Sequence, residues 1–460
     1  MLIFLILLLT CILAYEYRGN HRELTSPPVL FIAPFIAMCI IAQAYSSNWS
    51  FQLNLVSFFA VLIGALGFCL GNELGKKIRV HKNQINNISI ERKAKSWKFL
   101  VFLVGQLICY IVKLRYIVAF TGARDVSTAL VLYNNLIKFT TEDTIHFPTW
   151  LSLGLDICTM FGFICACLLA QQILLKNRDK RNFLLILVNF IIAVIGGSTS
   201  GGRGGSIQVM VSFICAILIL YQRKNNWKKP ISTKLIIGMG LGALVILYLF
   251  IASIEWIGRY KVYNVGRYIT NYIGAQIYNL NYLTNNKLEY SSIFGQETFY
   301  PIIEKICGWL GVSKWSNYHV GYPNVLAAGY STGNVYTCYY SYIKDFGIIG
   351  TFFVPMLFGS FSQVIYKYAR SSPRNYPINL GLVFYSNLAY MILFSFFADK
   401  FGAIVLSPNM LKRVIILLFV NYFMFDLDLR KSKLIYRNPF KHKGSGAFSG
   451  VKGTGTHISK

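Results

Sequence analysis

Residues 183–221 read FLLILVNFIIAVIGGSTSGGRGGSIQVMVSFICAILILY: two apolar runs, Phe183–Ile195 and Ile207–Tyr221, around a Gly/Ser turn whose single charge is Arg203. Apolar runs of this kind read as membrane spans. The turn between them, Gly196–Gly205, then lies at a membrane border. Glycines let a backbone approach an anion closely, and arginine presents a planar fork of donors suited to phosphate or carboxylate. A snorkelling arginine that meets lipid headgroups explains the same residues, so the turn alone leaves two readings open.

The whole chain repeats the pattern. It has 460 residues, is 55% hydrophobic and 13% charged, and has a mean hydropathy of +0.49. That composition is expected of an all-α, polytopic integral membrane protein rather than of soluble domains. Spans are expected near Leu2–Ala14, Val29–Tyr45, Leu53–Leu70, Phe99–Phe120, Trp150–Ala170, Phe183–Ile195, Ile207–Tyr221, Leu235–Ser253, Phe346–Tyr366, Ile378–Phe397 and Leu411–Phe425. That is about 11 helices, with one large loop, approximately 254–345, between the eighth and ninth. Residues 1–438 read as a single transmembrane domain and 439–460 as a disordered tail. Residues 1–14 lack a basic n-region and read as a retained first span rather than a cleaved signal peptide.

A net charge of +28 invites a nucleic-acid reading. The distribution of the charge excludes it. Lys and Arg concentrate in the loops 73–97, 172–182, 222–234 and 367–376 and in the tail from Arg430. These are alternate loops, so one orientation places all of them in the cytoplasm. The N-terminus and Gly196–Gly205 then lie outside and the C-terminus inside. Lys412 and Arg413, at the outer start of the last span, depart from the rule.

Within the outer region 254–345, Arg259 and Arg267 are eight residues apart, on roughly one face of an amphipathic helix continuing the eighth span through Ile254–Tyr282. With Arg203 they would converge on a polyanion; ordinary interfacial arginines would look the same. His319 is the one histidine of the region, and a neutral imidazole near pH 7 accepts a proton from a hydroxyl. Glu297, Glu304 and Asp345 compete for that task. Lys113 and Arg115 in the fourth span cannot share a helix face, and one of them is expected to pair with Asp156 in the fifth.

Eight of the ten cysteines lie in spans as small hydrophobes, whereas Cys307 and Cys338, in the outer region, read equally as a disulfide or as two thiols. Asp426-Leu-Asp428 resembles the metal-nucleotide motif of sugar-nucleotide transferases but falls at the cytoplasmic end of the last span, where it reads as a solvated helix end. With no P-loop, no GxGxxG and no His/Cys cluster, no cofactor and no metal are expected.

Three stretches together resemble the Wzy-type oligosaccharide repeat-unit polymerases, the O-antigen and capsule polymerases of bacterial membranes. They are the Gly-Gly-Ser-Thr-Ser-Gly-Gly-Arg-Gly-Gly turn (196–205), Tyr272–Asn281 followed by Gly295-Gln-Glu-Thr-Phe-Tyr300, and Gly333–Gly350 leading into a span. The motifs cover approximately 183–366. The resemblance implies a glycosyltransferase in the bacterial inner membrane that joins undecaprenyl-pyrophosphate-linked oligosaccharides at the periplasmic face. It gives Arg203, His319 and Asp345 catalytic roles. It gives Arg259, Arg267, Gly201, Gly202, Gly204, Asn334 and Tyr336 substrate contacts. Expected partners are the lipid-linked oligosaccharides, membrane lipids and a chain-length regulator protein, with no nucleic acid. An O-antigen ligase acting on a lipid A core is the nearest enzymatic rival. A flippase or transporter would be expected to show repeat symmetry, and an integral acyltransferase His and Asp motifs near its spans; the sequence has neither.

Overall fold

The computed structural model describes residues 1–79, 94–139, 147–175, 179–199, 202–227, 238, 264–286, 288–312, 323–327, 329–370 and 378–425. Its helices, in chain order, are α1 (Leu2–Gly19), α2 (Pro27–Ala44), α3 (Leu55–Lys77), α4 (Ser96–Thr121), α5 (Val126–Phe139), α6 (Thr149–Leu174), α7 (Lys180–Gly196) and α8 (Gly204–Lys224). After these come α9 (Val265–Asn286), α10 (Tyr300–Trp309), a hairpin β1 (Val325–Ala327) and β2 (Tyr330–Gly333), α11 (Tyr339–Arg370), α12 (Leu380–Leu393) and α13 (Pro408–Phe425). Among the described residues eight helices, α1, α2, α3, α4, α6, α8, α11 and α13, are long and apolar enough to cross a membrane. The all-α, polytopic reading therefore holds. Two more expected spans fall on shorter helices, α7 and α12, and the expected span Leu235–Ser253 lies, but for Gly238, outside the described residues.

Helix starts follow their caps. Asn54 accepts from the Ser57 amide at 2.7 Å, Asp125 from Thr128 at 2.8 Å, Asp179 from Arg181 at 3.1 Å and Asn379 from Leu382 at 2.6 Å. Each side chain satisfies a first-turn N–H that has no partner within its helix. Helix α4 stops at Gly122, whose φ of +63° is the left-handed conformation of a helix C-terminus. Gly347, at φ +67°, breaks α11 into a short N-terminal segment and a long span.

The most extensive helix pair is α3 with α11. Gly67, Gly71 and Gly75 recur every fourth residue along one face of α3 and rest on the backbone of Phe352, Met356 and Ser360; Gly359 of α11 rests in turn on Phe68. In lipid, helices gain contact by close approach, and small residues at such spacing permit it.

The basic loops gather at one end of the bundle, where their cations cap helices. Lys367 Nζ donates to the carbonyls of Gly75, Lys76 and Ile78 at the end of α3, with 3.1 Å to Gly75 and 2.9 Å to Ile78. Lys98 Nζ donates to Phe423 O at 2.6 Å and Met424 O at 3.0 Å, at the end of α13. Arg223 donates to Ala369 O of α11 at 2.5 Å, and Lys224 to Leu174 O of α6 at 2.7 Å. All four capped helices end here, so each cation meets unpaired carbonyls and the negative end of a helix dipole. Buried Glu23 joins them, 2.8 Å from Arg370 and accepting from Tyr366 Oη at 2.7 Å.

The described part of 254–345 folds at the opposite end. Helix α9 packs on α2, and its Asn281, Thr284 and Asn285 meet Asn54. The hairpin, in antiparallel register Val325↔Gly333, hangs from α9: Asn279 Nδ2 donates to Val335 O at 2.9 Å and Thr332 Oγ1 donates to Asn279 Oδ1 at 2.7 Å.

Candidate functional site

The turn between α7 and α8 is built by close backbone approach. A Cβ on Gly205 would sit 2.9 Å from Gly197 O, and Gly196 lies under the ring of Tyr110. Ser198 and Ser206 hydroxyls lie 2.6 Å apart and Thr199 Oγ1 donates to Gly196 O at 2.7 Å. Arg203 is the residue before the first turn of α8 and is 7% exposed. Its guanidinium stands 6.0 Å from the centre of the Tyr268 ring, at the outer reach of a cation–π contact.

Aromatic rings continue from Tyr268. It lies 5.2 Å from Tyr272, which stacks on Phe397 at 5.6 Å. From the other side Tyr390 brings its hydroxyl to within 3.3 Å of where a Cβ on Gly204 would stand, so Gly204 makes room for it. A Cβ on Gly202 would meet nothing within 4 Å; open space adjoins the turn there.

Lys113 adds a second buried cation. It is 7% exposed and donates to Thr199 Oγ1 at 3.1 Å. The expected pairing of Lys113 or Arg115 with Asp156 is thereby corrected. Asp156 pairs with Lys412 at 2.6 Å and Arg413 at 3.3 Å, and Arg115 is exposed. The two cations that depart from the charge rule thus share one carboxylate of α6 at the start of α13. Among the described residues, two buried cations, the N-terminus of a helix without a side-chain cap and open space beside Gly202 form a candidate anion site, faced by aromatic rings.

Among the described residues, the other sequence-predicted ones do not gather at this turn. Arg267 follows the start of α9 beside Tyr268, but its guanidinium lies 3.3 Å over the Tyr330 ring of the hairpin. Asn334 is exposed, whereas Tyr336 is 1% exposed with its hydroxyl donating to Pro323 O and its ring 5.0 Å from Tyr340. The expected substrate contact of Tyr336 therefore meets a core residue with no surface to offer. Asp345 accepts from the backbone amides of Glu297 at 3.1 Å and Thr298 at 2.6 Å, while Glu297 pairs with Lys344 at 2.6 Å. These two pairs fasten the segment 293–299 to the start of α11. Arg259, His319 and Gly201 lie outside the described residues. Cys307 and Cys338 are not bonded to each other; Cys338 is buried and Cys307 lies on α10.

Asp399 carries no signal in the sequence beyond its charge. It lies in the connector between α12 and α13, where its Oδ1 accepts from Tyr342 Oη at 2.8 Å and from the Gly402 amide at 3.0 Å. Part of the residue reaches the surface, but Oδ2 is buried and has no hydrogen-bond partner. Burial pushes its carboxyl up to about 6, against the two hydrogen bonds and the weak pull of Lys400. In the unfolded chain it titrates near 4. The folded state therefore holds the proton longer, and stability falls as the pH rises from about 4 to about 6 and stays lower above that. Asp399→Asn keeps an acceptor without the charge. It is expected to raise the melting temperature by a few degrees at pH 7.5, to change nothing below pH 4 and to flatten the slope between them. A thermal-shift series in detergent across that range checks this.

No protein-family model, no curated protein and no solved structure matches the chain.

Proposed function

We propose that this protein polymerises undecaprenyl-pyrophosphate-linked oligosaccharide repeat units at the periplasmic face of the bacterial inner membrane. The observation that carries the reading is the turn 196–205, where buried Arg203 and Lys113 stand at the N-terminus of a spanning helix beside the rings of Tyr268 and Tyr272. Such a site suits a ligand that joins a polyanion to sugars. The positive-inside rule puts this end of the bundle outside, because the basic loops gather at the other.

In the reaction, a hydroxyl of the incoming repeat unit attacks the anomeric carbon of the growing glycan. The new C–O bond forms as the bond to pyrophosphate breaks. Undecaprenyl pyrophosphate leaves with the electron pair, and the hydroxyl proton passes to a base. Charge grows on the leaving pyrophosphate in the transition state, and donors fixed there before the reaction stabilise it without reorganising. Arg203 is assigned this task; Arg259, which lies outside the described residues, and Arg267, whose guanidinium rests on Tyr330, are the further donor contacts that the resemblance implies. His319 is assigned the proton, because the Asp345 oxygens already accept backbone amides. The spans hold both prenyl tails, so the two substrates meet by orientation.

Gel analysis of surface glycan in a deletion strain tests the reading. Cores capped with a single repeat support a polymerase. Free polymer without attachment indicates a ligase, and loss of all external lipid-linked glycan a flippase. Within a polymerase, His319→Ala is expected to stop chain growth; normal chains from that variant would move the base elsewhere.

A further inference from the structure

A second site lies at the same end, on α10. Pro301, Glu304, Lys305, Gly308 and Trp309 follow the spacing i, i+3, i+4, i+7, i+8 and so form one helical face. With Pro408 and Asn409 at the start of α13 they line a half-open cavity of about 500 Å³. That volume is within the range of small-molecule sites. The indole of Trp309 is 76% exposed. A carboxylate, an ammonium and an amide line the same cavity.

This combination selects a ligand class. A hydrophobic core contact would bury the indole. Ile306 and Leu310 expose apolar surface on one side of it, as at a membrane border, and on its other side, within the cavity, stand hydrogen-bonding groups of three kinds. Sugar rings need both: an apolar C–H face to stack on the indole and equatorial hydroxyls that donate to Glu304 and accept from Lys305 and Asn409. The place in the fold agrees. Helix α10 packs on the π-helical turn Phe401–Val405 and on α13. That connector also carries Phe397, which stacks on Tyr272 of the ring series leading to Arg203.

We infer that the groove of Glu304, Lys305, Trp309 and Asn409 binds carbohydrate, and, resting on the polymerase reading, that it holds the sugars of the incoming acceptor repeat unit. The pyrophosphate of the donor would then occupy the Arg203 turn and the acceptor glycan the α10 groove. The connector 394–407 lies between the two. Such a division keeps the acceptor, which must be replaced at every cycle, away from the anion site that holds the growing chain.

The test is a calorimetric titration of the full-length protein in nanodiscs. The probe is the oligosaccharide repeat released by mild acid from the lipid-linked pool of the deletion strain. Trp309→Ala is expected to weaken binding about tenfold or more, equivalent to about 1.4 kcal/mol. Trp309→Phe, which keeps a stacking face, is expected to stay close to wild type, and Asn409→Ala to fall between. The Trp309 side chain is exposed, so monodispersity should not change. Binding of Trp309→Ala equal to wild type, or no saturable binding by the wild type, overturns the groove. The polymerase reading stands or falls separately: a deletion strain that still makes full-length polymer removes it, while the titration continues to decide whether the groove takes carbohydrate.

Discussion

Arg203→Lys is expected to cut glycan polymer by roughly 10²-fold, the effect of losing one preorganised donor set on developing charge, with expression and detergent behaviour unchanged. The substitution keeps a positive charge in a site that is 7% exposed. It loses the planar fork that holds two phosphate oxygens at once and the guanidinium that stands 6.0 Å from the Tyr268 ring centre. A compact ammonium already stands nearby in Lys113, bound to Thr199. If charge alone were needed, the lysine variant would give the site two ammonium groups and retain activity. Length distributions on a glycan gel, normalised to membrane protein, read the outcome. Full-length polymer from the lysine variant would sink the role and return Arg203 to a residue that faces lipid headgroups. Arg203→Ala separates the terms further, since losses equal to those of the lysine variant assign the whole effect to geometry.

The spans were legible because burial in lipid leaves a local trace: long apolar runs need no distant partner to be recognised. Basic loops were legible as well, though only as signs of orientation. That Lys98, Arg223, Lys224 and Lys367 also cap neighbouring helices depends on which helix ends beside which loop, and no local pattern encodes that. Asp156 shows the same limit. Lys113 and Arg115 were nearer in sequence, yet its partners are Lys412 and Arg413 in the last span. Arg203 stood out because a charge within a glycine run is locally odd. Tyr268 and Tyr272 carried a weak signal, four residues apart on one helix. Tyr390 and Phe397 carried none, since they come from a different hairpin of the bundle. The amphipathic α5 was missed because its apolar face is short and covers only the outer part of α4.

The two ends of the bundle use the helix dipole in opposite senses. At the basic end, lysine and arginine side chains donate to carbonyls at the ends of four helices. At the other end α8 begins without a side-chain cap, because Arg203 precedes it where Ser, Thr, Asp or Asn would close the first turn. The polymerase reading places its polyanion at this end, where the positive pole of the α8 dipole faces the turn.

Gly71→Leu is expected to prevent accumulation of folded protein, the largest structural effect of any single substitution considered. Gly67, Gly71 and Gly75 bring α3 onto the backbone of α11; a Cβ at Gly75 would stand 2.7 Å from Ser360 O, and the approach at Gly67 and Gly71 is closer still. Ordinary overpacking costs about 1–3 kcal/mol because side chains yield. Here the atoms met are main-chain carbonyls of Phe352 and Met356, which move only if the whole helix moves. Moving it would open the Gly359 contact with Phe68 and shift Tyr339, which covers Gly64. Both lie on α11, whose outer end carries Lys344 and Asp345, so the clamp on segment 293–299 would loosen with it. Lipid supplies no hydrophobic force to press the helices back together. Gly105→Leu on α4 is the matched control, since a Cβ there meets nothing within 4 Å. Fluorescence-detected size-exclusion chromatography should show a monodisperse peak for the Gly105 variant and aggregate or loss for the Gly71 variant. Equal peaks would mean that α3 and α11 separate at little cost, and that the glycine face does not hold the site in place.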